Sequence, residues 1–486
     1  MTRHHWLGLD IGTSSAKALL VGDDGVVVGR GDAAYGTSLT AGGGAEQDPA
    51  DYLDGARRAI AACGAAGREI AGIGLAGQTP TLVLVGHDGL AVRPALTWQD
   101  TRAGAEAAEL AAELGASEPL FGTELPWAPA YPPAKLLWLA RNEPEALAAT
   151  RVALQPKDYV GLRLTGSAVS DPWSSKGIAH LDGAPAARAL EHVGWPDGIA
   201  PAVAPAWSLR GHVGAAAAAA FGVPAGTPVA VGWSDALAGM LATGAFAGET
   251  AFVLTGTSSI VGVSTRSATA AGPALLAIPA SCAPLRVVYG PTQASGASLA
   301  WLGRLLRLDG DELRELAAQP ARVGLGDPVF VPYIAGERAP IWRTDVAGAF
   351  FGLAALHGPA DLARAVVAGV CHSERHVLAL AEAAVGRAPE LVRVGGRGVS
   401  QPPWRDARRA TFTRPLLLLD EPDASALGAA MLGAAAAAGG DLAAAERLRS
   451  GAERVEGGSG SGGFERYLAA SVATLAWTDA AEPLTP

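Results

Sequence analysis

Three cysteines in 486 residues, Cys63, Cys282 and Cys371, stand far apart and form neither a CxxC pair nor a Cys/His cluster. That excludes a disulfide framework and a structural zinc, and leaves the three as small buried hydrophobes. Basic blocks are missing as well. A net charge of −10, spread along the chain, argues against nucleic acid or an anionic membrane surface as the main partner and favours a small neutral ligand. No apolar run reaches the ~18 residues of a membrane span, because Gly, Pro or a charge interrupts each one. The 49% hydrophobic fraction owes much to the blocks Ala215–Ala220 and Ala434–Ala438. The start, Met1-Thr2-Arg3-His4-His5, runs at once into a strand-like segment without an apolar h-region or small-residue cleavage site, which sets a cytoplasmic expectation. Three catalytic signatures are absent too: Gly-x-x-x-x-Gly-Lys-Ser/Thr, the His-Arg-Asp loop of protein kinases, and the Gly-x-Ser-x-Gly nucleophile elbow.

What is present is organised in two halves. The length exceeds the roughly 250–300 residues at which a single core stops growing, so two domains are expected, 1–240 and 241–486. Trp6 to Ile11 reads as a strand that reaches the turn Gly12-Thr13-Ser14-Ser15, followed by a second strand from Ala16 to Val21. Asp23-Asp24-Gly25 is then a hairpin turn, since Gly after Asp tolerates positive φ. Ala251 to Val263 repeats the design around Gly256-Thr257-Ser258-Ser259, 244 residues after the first turn against a half-length of 243. The recurrence reads as duplication of one lobe. Strands such as Ile70–Leu75 and Leu391–Val394 alternate with helical stretches at Ala105–Leu114, Lys135–Arg141 and Asp361–Ala381, an α/β pattern. A further Ala-rich helix starts near Ala424, Gly457–Gly463 is a flexible loop, Phe464–Trp477 is a terminal helix, and Thr478–Pro486 is a frayed tail.

A turn of Gly, Thr and Ser between two strands gathers backbone N–H groups and hydroxyls around a space that fits phosphate oxygens. Asp10, just before the first turn, cannot bind phosphate but can hold a Mg²⁺ through water. By itself, Asp-x-Gly-Thr suits an ordinary hairpin equally well; the second turn shifts the reading toward a nucleotide.

These residues, with Glu46-Gln47-Asp48-Pro49, Gly77-Gln78, Trp98-Gln99-Asp100-Thr101-Arg102, Pro156-Lys157-Asp158-Tyr159, Arg163-Leu164-Thr165-Gly166, Gly336-Glu337-Arg338-Ala339-Pro340 and Phe350-Phe351-Gly352-Leu353, carry a resemblance over nearly the whole chain. The chain resembles the FGGY family of carbohydrate kinases, and within it is most similar to the xylulokinases. Two family fingerprints are nearly intact, Ala130–Asn142 departing at Ala130 and Gly348–Ala368 departing at Ala368. The resemblance implies an α/β fold of two duplicated actin-like, ribonuclease-H-like ATPase lobes with a central cleft, the first lobe binding sugar and the second nucleotide. It implies ATP and Mg²⁺ as cofactors, a small-molecule sugar as partner and no nucleic acid or membrane, and it leaves room for a homodimer.

By the same resemblance Asp235 is the catalytic base and Asp10 the second catalytic carboxylate. Asp235 would take the proton of the attacking hydroxyl, a role compatible with capping the helix it opens. Gln78, Thr79, Trp98, Asp100 and Tyr131 form the sugar site, where amide and carboxylate groups pair with hydroxyls and an aromatic face covers the C–H side. Gly12, Thr13, Ser14, Gly256, Thr257, Ser258, Gly395, Gly396 and Gly398 hold the nucleotide, and Arg397 either stacks on adenine or points to solvent. The expected reaction converts D-xylulose to D-xylulose 5-phosphate. The alternatives are ribulose or another ketose, a polyol or an aldonate, or a nucleotide-dependent sugar sensor without turnover. These alternatives have a source in the residues. Thr79-Pro80 replaces the Met-His usual in xylulokinases, Ala236 replaces the Asn after the base, and Trp233 and Ser234 replace two glycines, so a reshaped pocket floor is expected. An unpaired sugar hydroxyl costs roughly 1–3 kcal/mol, enough to shift preference between sugars.

Overall fold

The computed structural model describes residues 4–195, 197–268, 270–321, 326–449, 451–460 and 463–480. The chain divides into two compact units, Met1–Ala242 with Ser425–Ser450, and Thr243–Ala424 with Gly451–Pro486. Among the described residues no helix is long and apolar enough to cross a membrane.

Unit 1 is built on a sheet in the order Leu209–His212, Pro228–Ala230, Ile70–Gly77, His5–Ile11, Ser15–Gly22, Val27–Ala34. The last three strands form an antiparallel meander, whereas His5–Ile11, Ile70–Gly77 and Pro228–Ala230 run parallel. Gly25, at φ 78°, makes the turn expected after Asp23-Asp24. In unit 2 the antiparallel strands Arg286–Pro291, Ser259–Thr265 and Thr250–Thr255 continue into parallel Val392–Gly396 and Leu416–Leu419. The same order of three antiparallel and then parallel strands therefore occurs twice, as duplicated lobes require. The long helix Pro359–Val385 starts where the Asp361 carboxylate accepts the Gly358 N–H at 2.8 Å, and ends at Gly386 with φ 70°.

The segment Ser425–Ser450, in the second half of the chain, packs with unit 1. The cause is close packing of small residues. The helix Ala424–Ala437 lies so near the strands that a Cβ on Gly8 would sit 1.9 Å from the Ala426 carbonyl oxygen, and one on Gly74 1.7 Å from that of Ala429. The terminal helix runs Gly463–Ala480, so Thr478–Ala480 are helical rather than frayed. Residues 481–486 of the expected tail lie outside the described residues.

A buried charge cluster ties the other face of unit 1 together. Asp158 accepts from Lys157 Nζ at 2.6 Å, Ser170 Oγ at 2.6 Å and Arg210 Nη2 at 2.8 Å, and Arg210 Nη2 also donates to the Val231 carbonyl at 2.8 Å. Lys157, Asp158, Asp171 and Arg210 are all buried. Removing one member strands the others in low dielectric, so Asp158→Ala is expected to cost about 3–5 kcal/mol, read as a shift of the urea midpoint of unit 1. A shift below about 1 kcal/mol, the range of an exposed pair, would show that the cluster is hydrated.

Candidate active site

Three parallel strands end side by side: Ile11 pairs with Gly77, and Gly77 with Ser234. The residues that follow them, Gly12, Gln78 and Asp235, are thereby gathered at the carboxyl ends of the strands, where open α/β sheets place ligands. Gly232, at φ 89°, makes the approach to Asp235, with room for no Cβ beside the Leu75 carbonyl 2.5 Å away.

The first turn is held by its carbonyls. The Gly12 carbonyl accepts from Tyr35 Oη at 2.6 Å and Gln78 Nε2 at 3.2 Å, and the Thr13 carbonyl from Gln47 Nε2 at 2.6 Å. A trans peptide directs N–H opposite to C=O, so the N–H groups of Thr13 and Ser14 face away from these anchors. In unit 2 the Gly256 carbonyl accepts from Gly296 N at 3.0 Å, and the Thr257 carbonyl from Ser295 N at 2.9 Å and Ala297 N at 3.1 Å. The N–H groups of Thr257 and Ser258 are turned outward by the same logic. Each turn can therefore present a pair of donors to an anion.

Asp235 opens the helix Asp235–Thr243. Its Oδ1 accepts the Ala236 N–H at 2.7 Å, while the helix cap comes from Ser234, whose Oγ accepts the Leu237 N–H at 3.4 Å. Burial pushes the Asp235 carboxyl up to about 6, against the opposing pull of the Ala236 N–H and the Lys17 ammonium. Lys17 also pairs across the hairpin with Asp10. Sequence reasoning missed this lysine. Its signal is register, since a cation seven residues after Asp10 falls opposite it when a hairpin turns at Gly12–Ser14.

Two residues expected to bind sugar are buried and hydrogen-bonded within unit 1. Gln78 is buried, with Nε2 on the Gly12 carbonyl and Gln47 Oε1, and Oε1 accepting from Thr81 Oγ1. Asp100 is buried, accepting from Ala45 N at 2.9 Å, Arg102 N at 3.1 Å and Arg102 Nε at 2.9 Å. Both side chains are held by these hydrogen bonds within unit 1. Trp98, 38% exposed, and half-buried Thr79 and Tyr131 remain on the open side. The expected reshaping by Trp233 and Ser234 also turns inward, since Trp233 packs edge-on against Trp207 at 5.7 Å and Ser234 is buried. Lys135, within the first fingerprint, is buried and donates to the carbonyls of Pro80, Leu96 and Thr97 at 3.1, 3.2 and 2.7 Å. It links the chain after Thr79 to the chain before Trp98. Burial pushes its ammonium down to about 7, with Asp100 opposing and Arg102 adding to the shift.

In unit 2 a cavity of 680 Å³ is lined by Gly256, Thr257, Gly296, Gly398, Gln401 and Trp404, among others. Arg397 lines it too, and its guanidinium pairs with Asp423 at 3.2 Å. Gly395 and Gly396 stand behind the lining, where a Cβ on Gly396 would meet the Thr255 carbonyl at 2.0 Å. A buried pair supports the wall. Arg408 donates to Glu374 through Nε and Nη2, both at 3.0 Å, and Glu374 accepts from Ser259 Oγ at 2.7 Å.

The N-terminal domain of the FGGY family of carbohydrate kinases matches residues 5–242 and the C-terminal domain residues 251–437. The xylulose kinase of Escherichia coli strain K12 is 30% identical over 417 residues, covering 82% of this chain and 83% of that protein. The gluconokinase of Bacillus subtilis strain 168 is 27% identical over 447 residues, covering 88% and 87%. The solved structure of the xylulose kinase from Rhodospirillum rubrum aligns with a TM-score of 0.81 at 28% identity, over 98% of this chain and 100% of that one.

The Asp235 environment carries a stability signature. Its carboxyl titrates near 6 in the folded chain against 3.8 ordinarily, so the folded state keeps a proton that the unfolded state releases. Stability is therefore lost as pH rises from about 4 to 6 and stays lost above. Asp235→Asn removes that loss, and its Tm advantage over wild type should be small at pH 4.5 and larger at pH 7.5. Equal differences at both pH values would mean that the carboxyl is not shifted.

Proposed function

The chain belongs to the FGGY family of carbohydrate kinases, and from that membership we propose that it transfers the γ-phosphoryl group of ATP to D-xylulose, giving D-xylulose 5-phosphate. The observation that carries the reading is Asp235, a carboxyl titrating near neutrality at the strand ends that also bear the first phosphate turn. Its role is to accept a hydrogen bond from the attacking hydroxyl and to take its proton as the bond to phosphorus forms. Thr79, Trp98 and Tyr131 are the proposed sugar contacts, with Gln78 and Asp100 behind them. The outward N–H groups of Thr13, Ser14, Thr257 and Ser258 are the proposed phosphate donors, and the Gly398–Trp404 cavity the proposed nucleoside site.

Mg²⁺ fits the residues present. Among the described residues no group of three or more His, Cys, Asp or Glu side chains is arranged to hold a metal. A lone carboxylate such as Asp10 beside a phosphate turn suits an ion that keeps several waters and takes other ligands from the nucleotide. When bound, the ion supplies neutralisation of phosphate charge.

A second sugar class is favoured by one observation. Thr79-Pro80 offers a hydroxyl and no imidazole where xylulokinases present Met-His, and the relatives include a gluconokinase. ADP release from purified protein with MgATP, across ketoses, polyols and aldonates, separates the readings. D-Xylulose should stimulate most, and Asp235→Ala should lower that rate about 10²–10⁴-fold while ATP binding persists. Because the base must be ionised, kcat should fall about tenfold per unit as pH drops below 6. Greatest stimulation by gluconate would move the substrate to aldonates, full turnover in Asp235→Ala would remove the base, and no stimulation with ATP still bound would favour a sensor.

A further inference from the structure

Trp98 faces two ways. Its ring is on the open side of unit 1, 38% exposed, while its indole Nε1–H donates to Thr13 Oγ1 at 2.9 Å. Its backbone N–H donates to Thr81 Oγ1 at 3.2 Å, Thr81 Oγ1 donates to Gln78 Oε1 at 3.2 Å, and Gln78 Nε2 donates to Gln47 Oε1 at 2.8 Å. Gln47 Nε2 then returns to the Thr13 carbonyl at 2.6 Å. A closed ring of hydrogen bonds thus joins the proposed sugar platform to the first phosphate turn, entering Thr13 at both its hydroxyl and its carbonyl.

The polarity of that ring matters. An indole N–H can only donate, so it occupies a lone pair of the Thr13 hydroxyl and leaves the hydroxyl's own proton to be given elsewhere. The outward N–H groups of Thr13 and Ser14 mark the side on which an anionic acceptor would lie. A sugar stacked on the ring covers the indole, excludes water from the Trp98–Thr13 bond and strengthens it in the lower dielectric.

We infer that Trp98 is a positioning residue that couples sugar occupancy to the phosphate turn, by holding the Thr13 hydroxyl as a donor to the phosphoryl group being transferred. The inference deepens the sugar-kinase reading and rests on it. Sugar binding then strengthens the hold on the Thr13 hydroxyl, and without sugar that hold is weaker, which restrains hydrolysis of ATP by water.

A double-mutant cycle tests this. Trp98→Phe keeps an aromatic face and removes the N–H, and Thr13→Val keeps the shape and removes the hydroxyl. Each should lower sugar-dependent kcat about tenfold, the scale of one hydrogen bond to a developing charge, and the double variant should fall by about the same factor. Sugar affinity, measured by calorimetry without nucleotide, should change less than about threefold, because the N–H does not face the sugar. Thr13→Ser, which keeps the hydroxyl, should retain most of the wild-type kcat. Additive losses of about a hundredfold in the double variant, or a Trp98→Phe enzyme that loses sugar affinity at unchanged kcat, would overturn the coupling on an active enzyme. A wild type without sugar-dependent ADP release would overturn the kinase reading and the coupling together.

Discussion

A peptide group presents its two polar ends in opposite directions, and both turns of this chain are organised by fixing the carbonyl end. In unit 1 the fixing groups are side chains, Tyr35, Gln47 and Gln78, reaching the carbonyls of Gly12 and Thr13. In unit 2 they are the backbone N–H groups of Gly296, Ser295 and Ala297, at the start of the helix Gly296–Leu306. The result is the same in each unit: two successive N–H groups aimed outward from a short, Gly-led turn. The anchors carry the preorganisation, since an anion-binding concavity whose N–H groups had first to be turned would spend binding energy on that reorganisation.

The anchors depend in turn on close packing beneath the strands. His5–Ile11 and Ile70–Gly77 can end level with each other because glycines at 8, 72 and 74 let the Ala-rich helix lie on their backbones. Gly428 of that helix approaches the Ala238 carbonyl so closely that a Cβ would stand 1.8 Å from it, which seats the helix opening at Asp235 as well. The abundance of alanine and glycine that raises the apolar fraction is therefore a packing device, and it bears directly on where Asp235 stands.

Much of the fold could be read from the sequence because it is local. The Asp-Gly turn, the Gly-Thr-Ser-Ser recurrence and the apolar period of Pro359–Val385 all follow from residues near each other in the chain. The helix that opens at Asp235 is local in the same way, since its start follows from the residues around it. Gln78 and Asp100 were harder, since whether an amide or carboxylate faces a ligand or the interior depends on partners that local pattern does not supply. Gln78 is satisfied by Gln47, 31 residues away, and Asp100 by Ala45, 55 residues away. The membership of Ser425–Ser450 in unit 1 is a close-approach effect of the same non-local kind, decided by glycines more than 350 residues upstream.

The two units differ in the chemistry of their supports, and the difference follows the charges they must tolerate. Behind the second turn stands an ionised pair, Arg408 and Glu374, reaching Ser259. Unit 1 also contains a buried ionic cluster, which meets the approach to Asp235 through the Val231 carbonyl, while neutral groups, two amides, a phenol and an indole, hydrogen-bond to the first turn. Asp235 titrates near 6 in a poorly solvated place, where a further fixed charge would act through little screening. An anion at position 78 would push the Asp235 carboxyl further up and would repel the Gly12 carbonyl that Gln78 now holds; a cation would pull the carboxyl down toward its ordinary range. A neutral amide donates to the turn without adding net charge beside Asp235. Gln at 78 therefore suits a place next to a carboxyl that burial has already pushed up.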